Sequence, residues 1–388
     1  MNGLLWAICL LCLTTMGIML LLKKLHQPYL IAYIIAGIVL GPYVLGIFTK
    51  PDEIEVIGEF GILFLMFFLG MEINVPNNTS LLIKPIIAQS MKILLSFICA
   101  LAIGYTADFS LNDILLITIL FIFNSTAVVS EFLKKHNTLK TMFGIMILNM
   151  LIFQDLLLAP ALTLLKVQGQ ESFDVLNIII PVLVCIAIFL LLKRIRNIQE
   201  IKFPVVSNFV ENDHDLQVFL GLLICLGFGL LAETSGLSGA LGSFMAGVVV
   251  GRVKSFNWLE HSLLPFKVFF TTLFFVSIGL RLDLSYLFSN FKMVLLGTFF
   301  VLASNSVMSA LIFRVLKYNW KDSWYGGALL SQTGEFGILA LSVAYKTGII
   351  EYSLYKTGLG ITCLSLLFST IWISMLKGII ISPKKRDI

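Results

Sequence analysis

Charge is what this chain has least of. Asp, Glu, Lys and Arg make up 13% of its 388 residues, where soluble domains carry roughly 25%. Hydrophobic residues reach 58%, so the length-per-domain rule of soluble proteins does not apply. Histidine is nearly as scarce. The four present (His26, His136, His214 and His261) fall in or beside loops with no metal spacing among them, which excludes a zinc or haem motif. Nucleotide-binding and nucleophile motifs are also missing, so the sequence calls for no cofactor and no enzyme. The six cysteines (Cys9, Cys12, Cys99, Cys185, Cys225 and Cys363) all lie inside apolar runs. Cys9 and Cys12 form a C-x-x-C but lack the wet βαβ setting of a redox pair, and read as packing residues. The net charge of +5 does not point to nucleic acid, because the basic residues sit between apolar runs, where they set topology.

What is present is an all-α polytopic membrane protein. About thirteen spans of bilayer-crossing length are expected near 4–22, 29–48, 54–73, 83–105, 113–133, 141–165, 173–193, 215–233, 237–252, 264–281, 291–316, 323–345 and 356–377. The first begins at Leu4 without a basic leader and ends at Lys23-Lys24, so it reads as a retained helix. Nineteen of the 27 Lys and Arg residues collect on one side of these spans. Six (Lys50, Lys166, Arg281, Lys292, Lys346 and Lys356) collect on the other, and Lys92 and Lys267 fall inside spans. The positive-inside rule then places the N-terminus outside and the C-terminus in the cytoplasm of a cell membrane, the inner membrane if the source is bacterial.

The chain also repeats itself. Ala36-Gly37-Ile38-Val39-Leu40-Gly41 returns as Ala246-Gly247-Val248-Val249-Val250-Gly251. Gly70-Met71-Glu72-Ile73-Asn74 returns as Gly279-Leu280-Arg281-Leu282-Asp283. Each pair lies seven spans apart, an odd number, so the halves are inverted. Inverted repeats mark secondary transporters. The expected division is a first repeat over 1–170 (about six helices), a linker helix and cytosolic segment over 171–213, and a second repeat over 214–388 (about six helices) with a short tail.

Two spans are interrupted at matching places, one at Asn124-Ser125-Thr126 and the other at Ser331-Gln332-Thr333-Gly334-Glu335. Unwound backbone at mid-membrane frees carbonyls and amides to meet an ion. The alternative is that these polar residues are packing glue between helices. Asp155 is the sharpest signal. It follows Gln154 in the run Leu151-Ile152-Phe153-Gln154-Asp155-Leu156-Leu157-Leu158. A carboxylate at that depth costs about 3 kcal/mol on insertion scales and is functional by default. One carboxylate contested by a proton and a cation is the minimal chemistry of an antiporter. The rival reading makes Asp155 a structural acid paired with Lys92 or Lys267, although both lysine stems are long enough to snorkel. Glu335 stands just after the second break, placed to neutralise a helix end.

The runs Ala36 to Pro42, Phe67-Phe68-Leu69-Gly70-Met71-Glu72, Ser125-Thr126-Ala127-Val128-Val129, Phe153-Gln154-Asp155, Leu241 to Gly247 and Gln332-Thr333-Gly334-Glu335-Phe336 together resemble the cation:proton antiporter-2 family, in its Kef type. The resemblance implies a sodium/hydrogen exchanger-like fold with two crossed discontinuous helices, a homodimer, and elevator-like movement of a core domain. Asp155 would exchange H+ for Na+ or K+, making it the site of the transported metal ion. Asn124, Ser125, Thr126, Gln154, Thr333 and Glu335 would support it. Three departures stand out. Gln154 occupies the place of a second carboxylate, favouring electroneutral exchange. The eleventh span has Ala303-Ser304-Asn305-Ser306 where relatives often place a basic residue. The chain ends at Ile388 without the nucleotide-binding domain of Kef systems, so gating of that kind would need a separate cytosolic subunit. A potassium efflux channel, an organic-anion carrier and a non-transporting sensor on the same fold are the competing readings.

Overall fold

The computed structural model of the protein describes residues 2–24, 29–48, 51–72, 80–168, 213–234, 238–251 and 257–381, together with Leu183. Among them are fifteen α-helices: α1 (Asn2–Lys24), α2 (Tyr29–Leu40), α3 (Pro51–Glu72), α4 (Ser80–Ala107), α5 (Leu111–Ile122), α6 (Thr126–Lys135), α7 (Met142–Gln168), α8 (His214–Thr234), α9 (Gly239–Val250), α10 (Asn257–Arg281), α11 (Leu284–Ser289), α12 (Phe291–Val315), α13 (Trp320–Leu329), α14 (Glu335–Lys346) and α15 (Tyr352–Ile381). Seven are long and apolar enough to cross a membrane, and four shorter ones are also apolar. Twelve of the thirteen expected spans therefore carry helix. Apart from Leu183, the seventh (173–193) and almost all of the basic segment after it lie outside the described residues.

The helices start where local chemistry caps them. Ser110 and Asp113 form a reciprocal capping box at α5. Ser238 accepts the Leu241 N–H at α9, and Asn319 accepts the Asp322 N–H at α13. Each satisfies a donor that a helix N-terminus leaves open. Pro85, Pro160 and Pro265 sit inside α4, α7 and α10, as membrane helices tolerate.

The helices sort into two packed groups. In one, α3 packs on α10 and α9, α2 on α10, α8 on α9, and α1 on α2. In the other, α4 packs on α5, α7 and α12, while α12, α13 and α15 pack on one another and α14 on α15 and α7. The groups meet where α7 touches α9 and α15 touches α2. The first group is sewn by glycine. A Cβ on Gly37 would strike the Val276 carbonyl, and one on Gly279 the Ile34 carbonyl. One on Gly247 would strike the Phe67 carbonyl, and one on Gly70 the Phe244 carbonyl. These are the residues of the repeated motifs, each α2–α10 contact having its counterpart between α9 and α3. Backbones approaching this closely replace the hydrophobic drive that lipid cannot supply.

Cys9 and Cys12 are exposed on α1 instead of packed. A bilayer solvates apolar side chains as a protein core does, so apolar context does not imply burial.

Candidate functional site

The second group encloses two helix breaks. α5 ends at Ile122, Phe123 turns extended (φ −87°, ψ 117°), and α6 restarts at Thr126. α13 ends at Leu329, Gly334 is extended (φ −84°, ψ −177°), and α14 starts at Glu335. A half-helix of 12 residues is about 18 Å long and cannot cross a hydrocarbon core of about 30 Å alone. Both breaks therefore fall inside the membrane. They cross each other directly, with the Gly334 N–H donating to the Phe123 carbonyl at 2.9 Å. Glycine is required at 334, because a Cβ there would meet Asn124 C at 2.6 Å and Ser125 N at 2.7 Å.

Side chains satisfy what the unwinding exposes. The Asn124 side-chain N–H groups donate to the Leu330 carbonyl (3.1 Å) and the Gln332 carbonyl (2.6 Å), tying one break to the other. The Thr333 hydroxyl donates to the Leu120 carbonyl at 3.1 Å. Gln154 of α7 accepts the Asn124 backbone N–H (3.1 Å) and donates to Asn124 Oδ1 (3.2 Å) and Gln89 Oε1 (3.1 Å). The next residue, Asp155, is 4% exposed. Its carboxylate accepts from the Thr126 hydroxyl at 3.4–3.5 Å, where the first turn of α6 presents its positive dipole end. Glu335 opens the first turn of α14, at the positive end of its dipole. All seven sequence-nominated residues (Asn124, Ser125, Thr126, Gln154, Asp155, Thr333 and Glu335) thus meet at the crossing.

Sequence reading weighed Lys92 only as a rival partner for Asp155 and did not place it at the crossing. It does not snorkel: at 0% exposed, it joins Asp155 as the only buried charged side chains among the described residues. Its ammonium donates to Asn124 Oδ1 (2.7 Å), Ser309 Oγ (3.4 Å) and the Leu330 carbonyl (3.5 Å). The last of these is the negative end of α13. Lys92 therefore brings a cation to the crossing from α4, although α12 carries Asn305 where a basic residue was looked for. Gln89 was missed. It lies three residues before Lys92, so the i, i+3 rule puts both on one helix face. That face was a signal available in the sequence.

The site is polar beyond its own satisfied bonds. Gln89 Nε2, Gln332 Nε2 and both side-chain amide atoms of Asn305 are buried without a hydrogen-bond partner. Each such group costs about 1–3 kcal/mol if left unmet. Together they give the crossing more polar capacity than packing needs. A cavity of about 430 Å³ opens between the two helix groups, lined by Glu59, Glu233, Leu162, Ser342 and Lys346 among others. Leu162 lies two turns along α7 from Asp155. Glu59 and Lys346 form an ion pair of 2.5 Å across it.

The sequence and the fold have counterparts. The chain aligns with a relative described as iron transporter MagA from Paramagnetospirillum magneticum at 28% identity, covering 91% of this chain and 81% of that one. It is 27% identical to K(+) efflux antiporter 5 of Arabidopsis thaliana, covering 88% of this chain and 61% of that protein, so it spans about three-fifths of the plant relative. Among solved structures, the sodium proton antiporter MjNhaP1 from Methanocaldococcus jannaschii superposes with a TM-score of 0.68 at 16% identity, covering 97% of this chain and 98% of that one. Residues 10–379 match the sodium/hydrogen exchanger transmembrane family. With nearly the whole chain matched, this multi-pass membrane protein belongs to the sodium/hydrogen exchanger family.

Proposed function

We propose that the protein is a secondary transporter exchanging a monovalent cation, Na+ or K+, for H+ by alternating access, with Asp155 as the shared site. The observation that carries this reading is a carboxylate 4% exposed beside two crossed half-helices, facing the Thr126 hydroxyl. Hard oxygen donors (one carboxylate, hydroxyls, amide and backbone carbonyls) suit an alkali cation. They lack the nitrogen and sulfur ligands that favour iron and later transition metals, so the substrate named for the MagA relative is not carried over. The K(+) efflux name of the plant relatives and the sodium proton title of the archaeal structure support an alkali cation and leave both candidates in play.

In this reading α4 to α7 and α12 to α15 form the moving core, while α1 to α3 and α8 to α10 form the fixed scaffold and the homodimer contact. Residues 1–170 and 214–388 are two inverted repeats joined by 171–213. The symmetric glycine contacts support that division. The N-terminus faces outward and the C-terminus faces the cytoplasm across the cell membrane. A single titrating carboxylate beside Gln154 favours electroneutral exchange of one proton for one cation.

The test is exchange in proteoliposomes holding a pH dye, with Na+ and K+ pulses given separately. Proton movement with one cation, abolished in Asp155→Asn with the melting temperature unchanged, is the expected result. Exchange surviving in a folded Asp155→Asn protein would overturn the assignment. Flux far above antiporter turnover and indifferent to a pH gradient would favour the channel reading. Folded protein silent to both ions would favour a sensor.

A further inference from the structure

The turn between α12 and α13 gathers cations that ion exchange does not use. Arg314 lies in the last turn of α12, Lys317 and Lys321 follow it, and Lys84 joins them from α4. All four are exposed. Tyr318 holds two of them in place. The Lys84 ammonium lies 5.3 Å from the centre of its ring, and its carbonyl accepts from the Arg314 guanidinium at 3.0 Å. That guanidinium also lies over the Trp320 ring at 5.1 Å, a cation–π arrangement like the first. Among the described residues, no ion pair or hydrogen bond engages the ammonium groups of Lys317 and Lys321. The carboxylate on the turn, Asp322, is occupied by the Asn319 side chain at 2.7 Å. Lys317 has φ 68°, just past the end of α12, where glycine is the usual residue because it adopts that conformation freely. A charge therefore stands where the backbone alone would favour glycine.

We propose that this turn binds the headgroup of an anionic phospholipid, with its phosphate among Arg314, Lys317, Lys321 and Lys84. Leu311 and Val315 are exposed on the last turns of α12, on the helix face that leads to Arg314. They offer the acyl chains an apolar strip that a soluble phosphate would not need. Trp320 is exposed beside them, as interfacial aromatics are. The turn lies on the side richest in Lys and Arg, the cytoplasmic one in the topology proposed above. Clusters of about four or more basic residues beside a span attract anionic lipid there. The positive-inside rule accounts for the side these residues occupy, but not for their convergence on one pair of rings. From this turn α13 runs to Leu329, next to the Leu330 carbonyl that Asn124 meets. A bound headgroup thus ties one half-helix of the crossing to one leaflet. That consequence rests on the transport reading, whereas the binding does not.

The experiment is native mass spectrometry of the full chain in detergent, titrated with phosphatidylglycerol or with phosphatidylethanolamine. The natural protein should hold the anionic lipid at least about fivefold more tightly than the zwitterionic one. Lys317→Gln combined with Lys321→Gln should weaken the anionic lipid by about tenfold or more. Lys23→Gln combined with Lys24→Gln removes the same charge from α1 and should leave binding within about threefold. Lys317→Arg combined with Lys321→Arg should keep the lipid, a retention that a misfolded chain cannot imitate. Inorganic phosphate at millimolar concentration should not displace it. The inference is overturned if the two Gln pairs weaken binding equally, since the attraction would then be diffuse. It is also overturned if the natural protein shows no preference for phosphatidylglycerol. Displacement by inorganic phosphate would make the turn a site for a soluble anion and overturn the lipid assignment. None of these outcomes depends on Asp155, so failure here leaves the transport reading standing.

Discussion

The glycine seam of the scaffold and the polar crossing of the core join helices by opposite means. In the seam, Gly37, Gly70, Gly247 and Gly279 bring backbones within van der Waals reach of each other, and phenylalanines stack alongside, as Phe64 does on Phe270 at 5.5 Å. At the crossing the backbone is unwound, and Asn124, Gln154, Lys92 and Thr333 stitch it with hydrogen bonds. Dispersion at contact distance yields a rigid joint with one arrangement. A polar network with unmet buried donors at Gln89, Gln332 and Asn305 can rearrange around an arriving ion. Stiffness in the scaffold and adaptability in the core is the division an alternating-access carrier requires.

That contrast can be broken most severely at the seam. Gly37→Val or Gly247→Val forces a side chain into a facing carbonyl and should destabilise by about 3 kcal/mol or more, read as a large fall in melting temperature in detergent. Gly17→Val on α1, where nothing lies within 4 Å, should change it by less than about 0.5 kcal/mol. Equal shifts at the two kinds of site would mean the seam is not close-packed.

A smaller effect is expected at the crossing. Gln154→Ala strands the Asn124 backbone N–H and Gln89 Oε1, costing about 1–3 kcal/mol. Exchange should suffer more than stability does, because the change loosens the break without adding a clash. A variant with unaltered exchange kinetics would show that the network is inert glue.

The smallest effect sits outside both regions, at Asp283 between α10 and α11. A hydrogen bond from Lys356 at 2.7 Å, helped by the Tyr286 N–H at 3.0 Å, holds its carboxyl below the ordinary value. A depressed carboxylate contributes stability that is present above the unfolded pKa of roughly 3.9 and lost as pH falls through the lower folded value. Asp283→Asn should therefore cost about 1 kcal/mol or less at pH 7, with the gap between natural and variant melting temperatures narrowing as pH falls below about 3.9. A gap that does not narrow on acidification would assign the contribution to packing.

Much of this was legible in residues alone. Low charge, long apolar runs and sided lysines declared a polytopic membrane protein. Nearly equal offsets between Gly37 and Gly247 and between Gly70 and Gly279 anticipated the seam's symmetry. The polar interruptions at Asn124 and Gln332 marked both breaks, and Asp155 stood out by its cost. Lys92 was visible as a lysine inside a span and as one of two rival partners for Asp155, and snorkelling was the default for its long stem.

The sequence by itself determined where helices run, where they break and which carboxylate is buried, because each follows from local composition over one or two turns. Only the tertiary structure decided which way Lys92 points and what it meets. Its acceptors, Asn124, Ser309 and Leu330, lie 32, 217 and 238 residues away and converge through helix packing. A flexible side chain takes its direction from the strongest acceptors within reach. Here those are the carbonyl end of a broken helix and the amide that bridges both breaks.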